Sequence, residues 1–110
     1  MVLTGCDPGF HLYGDVVDSH DVPVPGATVV LVCYGADQGS VRTDVKGVFS
    51  YSRLGAFGDK CEIQVRFQDG TVLSFDLLSY CVKPYVRHTC TEVMLHVKLD
   101  GISSRNTGQP

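Results

Sequence analysis

The chain contains no tryptophan and only two methionines, and its cysteines at 6, 33, 61, 81 and 90 include no C-x-x-C pair. Four-ligand zinc sites usually bring at least one such close pair, so a metal centre is not expected. No apolar run approaches the roughly 20 residues needed to cross a bilayer as a helix. The nine Lys and Arg are scattered and outweighed by twelve Asp and Glu, for a net charge of −3. Phosphate backbones need a clustered basic surface, so nucleic acid is excluded as an expected partner. There is no G-x-S-x-G elbow and no glycine-rich phosphate loop. His11, His20, His88 and His96 fall in separate segments, with no spacing that groups a Ser, a His and an acid. Catalytic residues, a metal and a cofactor are therefore all expected to be lacking.

What is present points to a folded domain. A length of 110 residues fits one domain, and 44% hydrophobic against 19% charged residues describes a globular chain. Five cysteines in so short a sequence read as a disulfide framework in an oxidising compartment. The odd cysteine has a candidate explanation. Leu3-Thr4-Gly5-Cys6 resembles the lipobox of bacterial lipoproteins, a leucine and two small residues before the cysteine that takes a diacylglyceryl group. Only Met1 and Val2 precede it, so the basic and apolar parts of a signal peptide would lie upstream. With Cys6 lipidated, Cys33, Cys61, Cys81 and Cys90 remain as an even set. Asp7, next to the anchor, resembles the inner-membrane retention signal of enteric bacteria.

Strand signals dominate. Leu12, Gly14 and Val16 alternate with Tyr13, Asp15 and Val17. Asp21, Pro23, Pro25 and Gly26 then exclude helix and central strand. Across Thr28–Tyr34, Ala27, Val29, Leu31 and Cys33 share one face and Val30 and Val32 the other, which predicts a central, well-covered strand. Residues 35–39 read as a loop, 41–51 as two short strands around Asp44–Gly47, and 52–60 as a loop. Cys61, Ile63, Val65 and Phe67 alternate with polar residues as far as Asp69-Gly70, a signal for a tight primed turn. Leu73, Phe75 and Leu77 continue on the return. After a cysteine-bounded loop, Val93, Leu95, Val97 and Leu99 form the last strand. About seven strands and no helix predict an all-β, two-layer sandwich over residues 10–101. It lies between a tether at 1–9 and a disordered polar tail at 102–110.

Two segments resemble a family. Gly14-Asp15-Val16-Val17-Asp18, followed by Val22-Pro23-Val24-Pro25-Gly26-Ala27-Thr28-Val29, is similar to the opening of carboxypeptidase regulatory-like domains. Thr43-Asp44-Val45-Lys46-Gly47-Val48-Phe49 resembles their T-D-x-x-G-x-F hairpin. The likeness covers Leu12–Tyr51 well and the remainder by strand pattern. It implies a seven-stranded, Greek-key, prealbumin-like sandwich acting as an accessory module of cell-surface or secreted proteins, which supports or binds and does not catalyse. Catalytic relatives lack their marks here. Transthyretin-type hydroxyisourate hydrolases end in Y-R-G-S, where this sequence reads Asn106-Thr107-Gly108-Gln109-Pro110. The isopeptide-forming CnaB type needs an inward Lys and an Asn that the terminal strands do not supply. Intradiol dioxygenases bind iron through two Tyr and two His in a longer domain.

Two groups of residues are candidates for a role. Cys33 and Cys61 share inward phase, and Cys81 and Cys90 bound a short segment. Four cysteines allow three pairings, of which Cys33–Cys61 with Cys81–Cys90 is favoured. The second bond would stiffen a ring presenting Lys83, Tyr85, Arg87 and His88, a basic, aromatic surface for an envelope protein, glycan or lipid head group. The alternative is a glycan face drawn from Tyr13, Tyr34, Tyr51, Tyr80 and Tyr85, of which Tyr13 and Tyr51 have outward phase on segments that could be neighbours. The expected protein is a non-catalytic lipoprotein module of the bacterial cell envelope, periplasmic or at the surface. It would be held to the membrane through Cys6.

Overall fold

The computed structural model describes residues 8–99. The lipobox expected at Leu3–Cys6, and the tail expected from 102, lie outside the described residues. The elements are β1 (Gly9–Val17), β2 (Thr28–Cys33), β3 (Ala36–Arg42), β4 (Val48–Leu54), β5 (Phe57–Gly58), β6 (Cys61–Arg66), β7 (Val72–Asp76), β8 (Cys81–Tyr85) and β9 (Thr89–Lys98). A single 3-10 turn, Leu77–Tyr80, is capped by the Asp76 side chain. The expected all-β sandwich is the architecture found.

One sheet runs β4-β1-β9-β5, with β8 also paired to β9; the other runs β3-β2-β6-β7. The first and last strands are neighbours and parallel, Leu12 opposite Val93 and Val16 opposite Val97. β5 and β8 both pair with Thr89 and Cys90, and so flank β9 on its two edges. The chain crosses between sheets after β1, β3, β5 and β7.

Alternation builds the core. Phe10, Leu12 and Val16 from β1, Phe49 from β4, and Val93, Leu95 and Val97 from β9 face Val29, Leu31, Ile63, Val65 and Phe67 across the interface. The expected central strand is β2, in which Val29–Cys33 are all buried. Val30 and Val32 point away from the main core. They are flanked on β6 by a row in which Arg66 donates to Gln64 and Gln64 to Glu62. Such polar chains cover apolar surface with their stems and keep their heads wet.

Several local expectations are corrected. Residues 35–39 are not a loop, since the chain turns on Tyr34-Gly35 and pairs at once as β3. The T-D-x-x-G-x-F segment is not a hairpin, because β3 and β4 lie in different sheets and Thr43–Gly47 is the corner between them. Leu77 leaves the strand phase for the 3-10 turn and is buried there. The 52–60 stretch carries the end of β4 and the short β5, and 81–90 is a β-hairpin; nine strands result where seven were expected. At Asp69-Gly70 only Gly70 has positive φ, 95°, so the turn is not of the primed kind.

The corner at Thr43 is tightly built. Its Oγ1 accepts from the Ala27 N–H (2.9 Å) and donates to the Val24 carbonyl (2.7 Å), while its backbone exchanges bonds with Ala27 and Gly26. Thr43 is the only buried polar side chain among the described residues. It ties the Pro-Gly-Ala segment to the Thr-Asp-Gly-Phe corner, the two segments that carry the family resemblance. Gly47 has φ 74°, and a Cβ there would lie 2.5 Å from the Val16 carbonyl, so this position requires glycine.

Candidate functional site

Three connections meet at the other end of the sandwich. They are the Tyr34-Gly35 turn between β2 and β3, the Ala56–Lys60 stretch around β5, and the Val86–His88 turn between β8 and β9. They enclose a cleft of about 420 Å³ lined in part by Tyr34, Gln38, Asp59, Lys60, Arg87 and His88. The turns are drawn together by backbone contacts. The Tyr34 N–H donates to the Lys60 carbonyl at 2.9 Å. A Cβ at Gly58 would come within 2.6 Å of the His88 carbonyl, so a residue without a side chain lets the two segments close.

Both expected disulfides are formed, and both brace this end. Cys33–Cys61 joins the directly opposed last residue of β2 and first residue of β6, and its two cysteines line the cleft. Cys81–Cys90 clamps the β8–β9 hairpin, and Cys90 adjoins the lining residue Thr89. Neither bond crosses between the sheets; each holds turns within one sheet. Backbone strain gathers here as well. Among the described residues four non-glycine residues have positive φ, and three of them line the cleft: Tyr34 (54°), Arg87 (55°) and His88 (60°). Left-handed backbone costs an L-residue roughly 1–2 kcal/mol, and it persists where surrounding structure enforces it.

The four residues expected to form one binding loop divide between two places. Arg87 and His88 belong to the cleft. Lys83 instead pairs with Glu92 at 3.4 Å on the outer face of the β4-β1-β9 sheet, and Tyr85 is half-exposed on β8. On that outer face Tyr13 donates its hydroxyl to Glu92 (2.8 Å), stacks beside His11 (4.7 Å between ring centroids), and His11 reaches Ser50 (2.8 Å). The bond to Glu92 raises the Tyr13 pKa and lowers that of Glu92, aided there by Lys83. The expected pairing of Tyr13 with Tyr51 on one outward face is not found. Tyr51 lies opposite the buried Leu12, packs at the core margin and donates to the Gln38 carbonyl. His96 faces outward, as expected, beside Asp15.

Sequence reasoning missed Gln38, Asp59 and Lys60, and it named Tyr34 only among the tyrosines open to a glycan. A signal for two of them was present. Tyr34 follows Cys33 and Lys60 precedes Cys61, so a bond between those cysteines forces their outer neighbours together.

No family model matches the chain, and no curated protein matches it. Solved structures do resemble it. The dioxygenase domain of a dioxygenase–carbohydrate-binding protein fusion from Streptomyces sp. SirexAA-E superposes with a TM-score of 0.58 at 16% identity, over 89% of this chain and 84% of that one. The 3-chlorocatechol 1,2-dioxygenase of Rhodococcus opacus 1CP gives 0.56 at 13% identity, over 91% of this chain and 63% of its own. The hydroxyquinol 1,2-dioxygenase of Pseudomonas putida DLL-E4 gives 0.57 at 14% identity, over 91% and 58%. The chain thus spans less than two thirds of the last two proteins.

The residues present do not fit the two-Tyr, two-His iron site of intradiol dioxygenases. His88 sits in the cleft turn, whereas His11 is opposite Glu92 and His96 opposite Asp15, which spaces them along β9. Four strand residues span roughly 13 Å, too far for a shared ion. Tyr13 is committed to Glu92 and Tyr51 to the Gln38 carbonyl. Among the described residues no three His, Cys, Asp or Glu converge as ligands. At these identities the likeness is one of fold: the chain shares the all-β sandwich of the dioxygenase domains.

Proposed function

We propose that the chain is a non-catalytic module of the bacterial cell envelope, tethered through a lipid on Cys6, that binds a partner with its disulfide-braced end. The observation that carries this reading is the bracing of one cleft by two disulfides, Cys33–Cys61 in its lining and Cys81–Cys90 in the hairpin whose turn completes it. A site whose backbone is held in advance loses less conformational entropy on binding, which suits a recognition surface. Disulfides persist in oxidising compartments, in keeping with export. The carboxypeptidase regulatory-like assignment draws support from Thr43, which bonds the two motif segments to each other at the opposite corner.

The test is fractionation of the bacterium that carries the gene, with thiol alkylation before lysis and metabolic labelling by a palmitate analogue. The expected protein is membrane-associated, resists alkylation at Cys33, Cys61, Cys81 and Cys90, and loses its label in Cys6→Ser. A cytoplasmic protein with alkylated cysteines would refute the reading. Oxygen consumption on catechols by the iron-supplemented protein would refute its non-catalytic part.

A further inference from the structure

The geometry points to a carboxylated sugar, of the uronic-acid class, as the ligand of the braced cleft. This rests on the reading of that end as the binding end. Charge is the first argument. The chain is acidic overall, yet the cleft gathers Lys60, Arg87 and His88 against the carboxylate of Asp59. Among the described residues five other cations are engaged: Lys83 with Glu92, Lys98 with Asp21, and Arg42, Arg53 and Arg66 with carbonyl oxygens of Gly26, Gln38 and Gln64, while Lys46 stands apart at the opposite corner. Among the described residues neither Lys60 nor Arg87 lies within 4.0 Å of a carboxylate oxygen. A guanidinium with its donor fork uncommitted matches a planar carboxylate, and a nearby ammonium adds a second positive charge.

The remaining walls suit a sugar ring. Tyr34 is 80% exposed at the cleft, and its left-handed backbone and the adjoining disulfide fix where its Cα stands, leaving only the two side-chain torsions free. An aromatic held in the open offers its face to the C–H side of a pyranose, a contact with low entropy cost because few torsions are free. The Gln38 amide and the Asp59 carboxylate supply donor and acceptor groups for hydroxyls. A volume of about 420 Å³ lies within the usual range of small-ligand clefts. An acidic peptide is less well served. Peptide capture commonly adds a strand to an open edge. Here β8 carries Pro84 and two register shifts, and β3 carries a bulge. Proline removes a donor, and bulges disrupt the ladder.

The experiment is calorimetric titration of the oxidised chain with tetragalacturonate, with maltotetraose and hexaglutamate as comparators. Saturable one-site binding is expected, weakening as salt rises. It should fall by about tenfold or more in Arg87→Gln, in Lys60→Gln and in Tyr34→Ala. Amide shift changes should map to residues 34, 60 and 87 and spare Tyr13 and Glu92. These exposed substitutions leave the core intact, so unchanged thermal unfolding verifies each variant. Absence of saturable binding overturns the assignment, as does equal affinity for maltotetraose or hexaglutamate, or an unaffected Arg87→Gln. Failure here would leave membrane association and oxidised cysteines in the cell untouched. A cytoplasmic, reduced protein would defeat the envelope reading whatever the purified, oxidised chain binds.

Discussion

The two ends of the sandwich are built by different chemistry. At one end the connections close on hydrogen bonds made by short side chains. Asp18 accepts from the His20 and Val22 N–H groups (2.8 and 3.0 Å), Asp44 from Lys46 and Val48 (2.8 and 3.0 Å), and Asp69 from Thr71 (2.9 Å), with Thr43 buried between segments. Asp and Thr there satisfy backbone donors locally, as turn residues do. At the other end Tyr34, Arg87 and His88 occupy left-handed backbone, which non-glycine residues seldom adopt, and two disulfides hold it. One end is stable because its residues fit their turns. The other is stable because it is cross-linked, which lets it carry residues that do not fit their turns, as the proposed recognition role would require.

The largest effect expected from breaking this arrangement is at Cys33–Cys61. The bond spans 28 residues, and chain entropy assigns such a loop about 3.6 kcal/mol. Cys33→Ala with Cys61→Ala should lower stability by about that amount in denaturant melts. The 9-residue separation of Cys81 and Cys90 gives about 2.7 kcal/mol, so the matching double variant should lose less. Equal losses would mean that loop length does not govern the bracing. At the opposite end Thr43→Val keeps shape but strands the Ala27 N–H and the Val24 carbonyl. A loss of about 2–3 kcal/mol is expected, since each buried unsatisfied group costs about 1–3. Exchange protection of the Tyr34 amide, measured relative to global stability, should not change.

The third prediction reverses sign. Replacing Arg87-His88 by Asn-Gly supplies residues that tolerate left-handed backbone, and should stabilise the chain by about 1–2 kcal/mol. It should also abolish binding at the cleft. A variant that is more stable yet still binds would separate the strain from the function. A loss of stability would show that the arginine and histidine side chains support the turn themselves.

The same contrast explains what could be read from the sequence. Ile63, Val65 and Phe67, and Val93, Leu95 and Val97, alternate without competition from the other phase, so strands and core face were legible. Thr43 and Asp44 carry side chains that dictate their own local bonds, so the corner was found, although its role between sheets depends on tertiary pairing. Tyr51 was misread because β4 has apolar residues in both phases: Val48 and Leu54 are exposed while Phe49 is buried. Hairpin positions were the weakest reading. Asp69-Gly70 has the local preference for a primed turn and takes another form. Gly35 suits its positive φ, but Tyr34 and Arg87-His88 have little such preference and adopt it where strand pairing and the disulfides impose it. The cleft is assembled from those turns, which is why its residues were anticipated only piecemeal, Arg87 and His88 in one loop and Cys33 and Cys61 as a disulfide, and never as one site.

The smallest predicted effect is the response to acid. Asp18, Asp44 and Asp69 are held below the usual carboxylate range, in each case chiefly by backbone N–H groups donating to the ionised form. A carboxyl whose folded pKa is depressed binds protons more readily when unfolded. Its stabilisation is therefore complete above the unfolded value, about 4, and is lost as pH falls through the folded one. All three sit at the hydrogen-bonded end, whereas the disulfides at the cleft do not titrate. Acidification below about pH 4 should loosen the molecule from one side. After correction for intrinsic rates, exchange should accelerate first at the Val22, Lys46, Val48 and Thr71 amides, with the Tyr34 amide following only at global unfolding. Uniform loss of protection would mean that the two ends do not respond independently. Asp44→Ala should remove part of the acid dependence and leave the remainder, because Asp18 and Asp69 close separate turns.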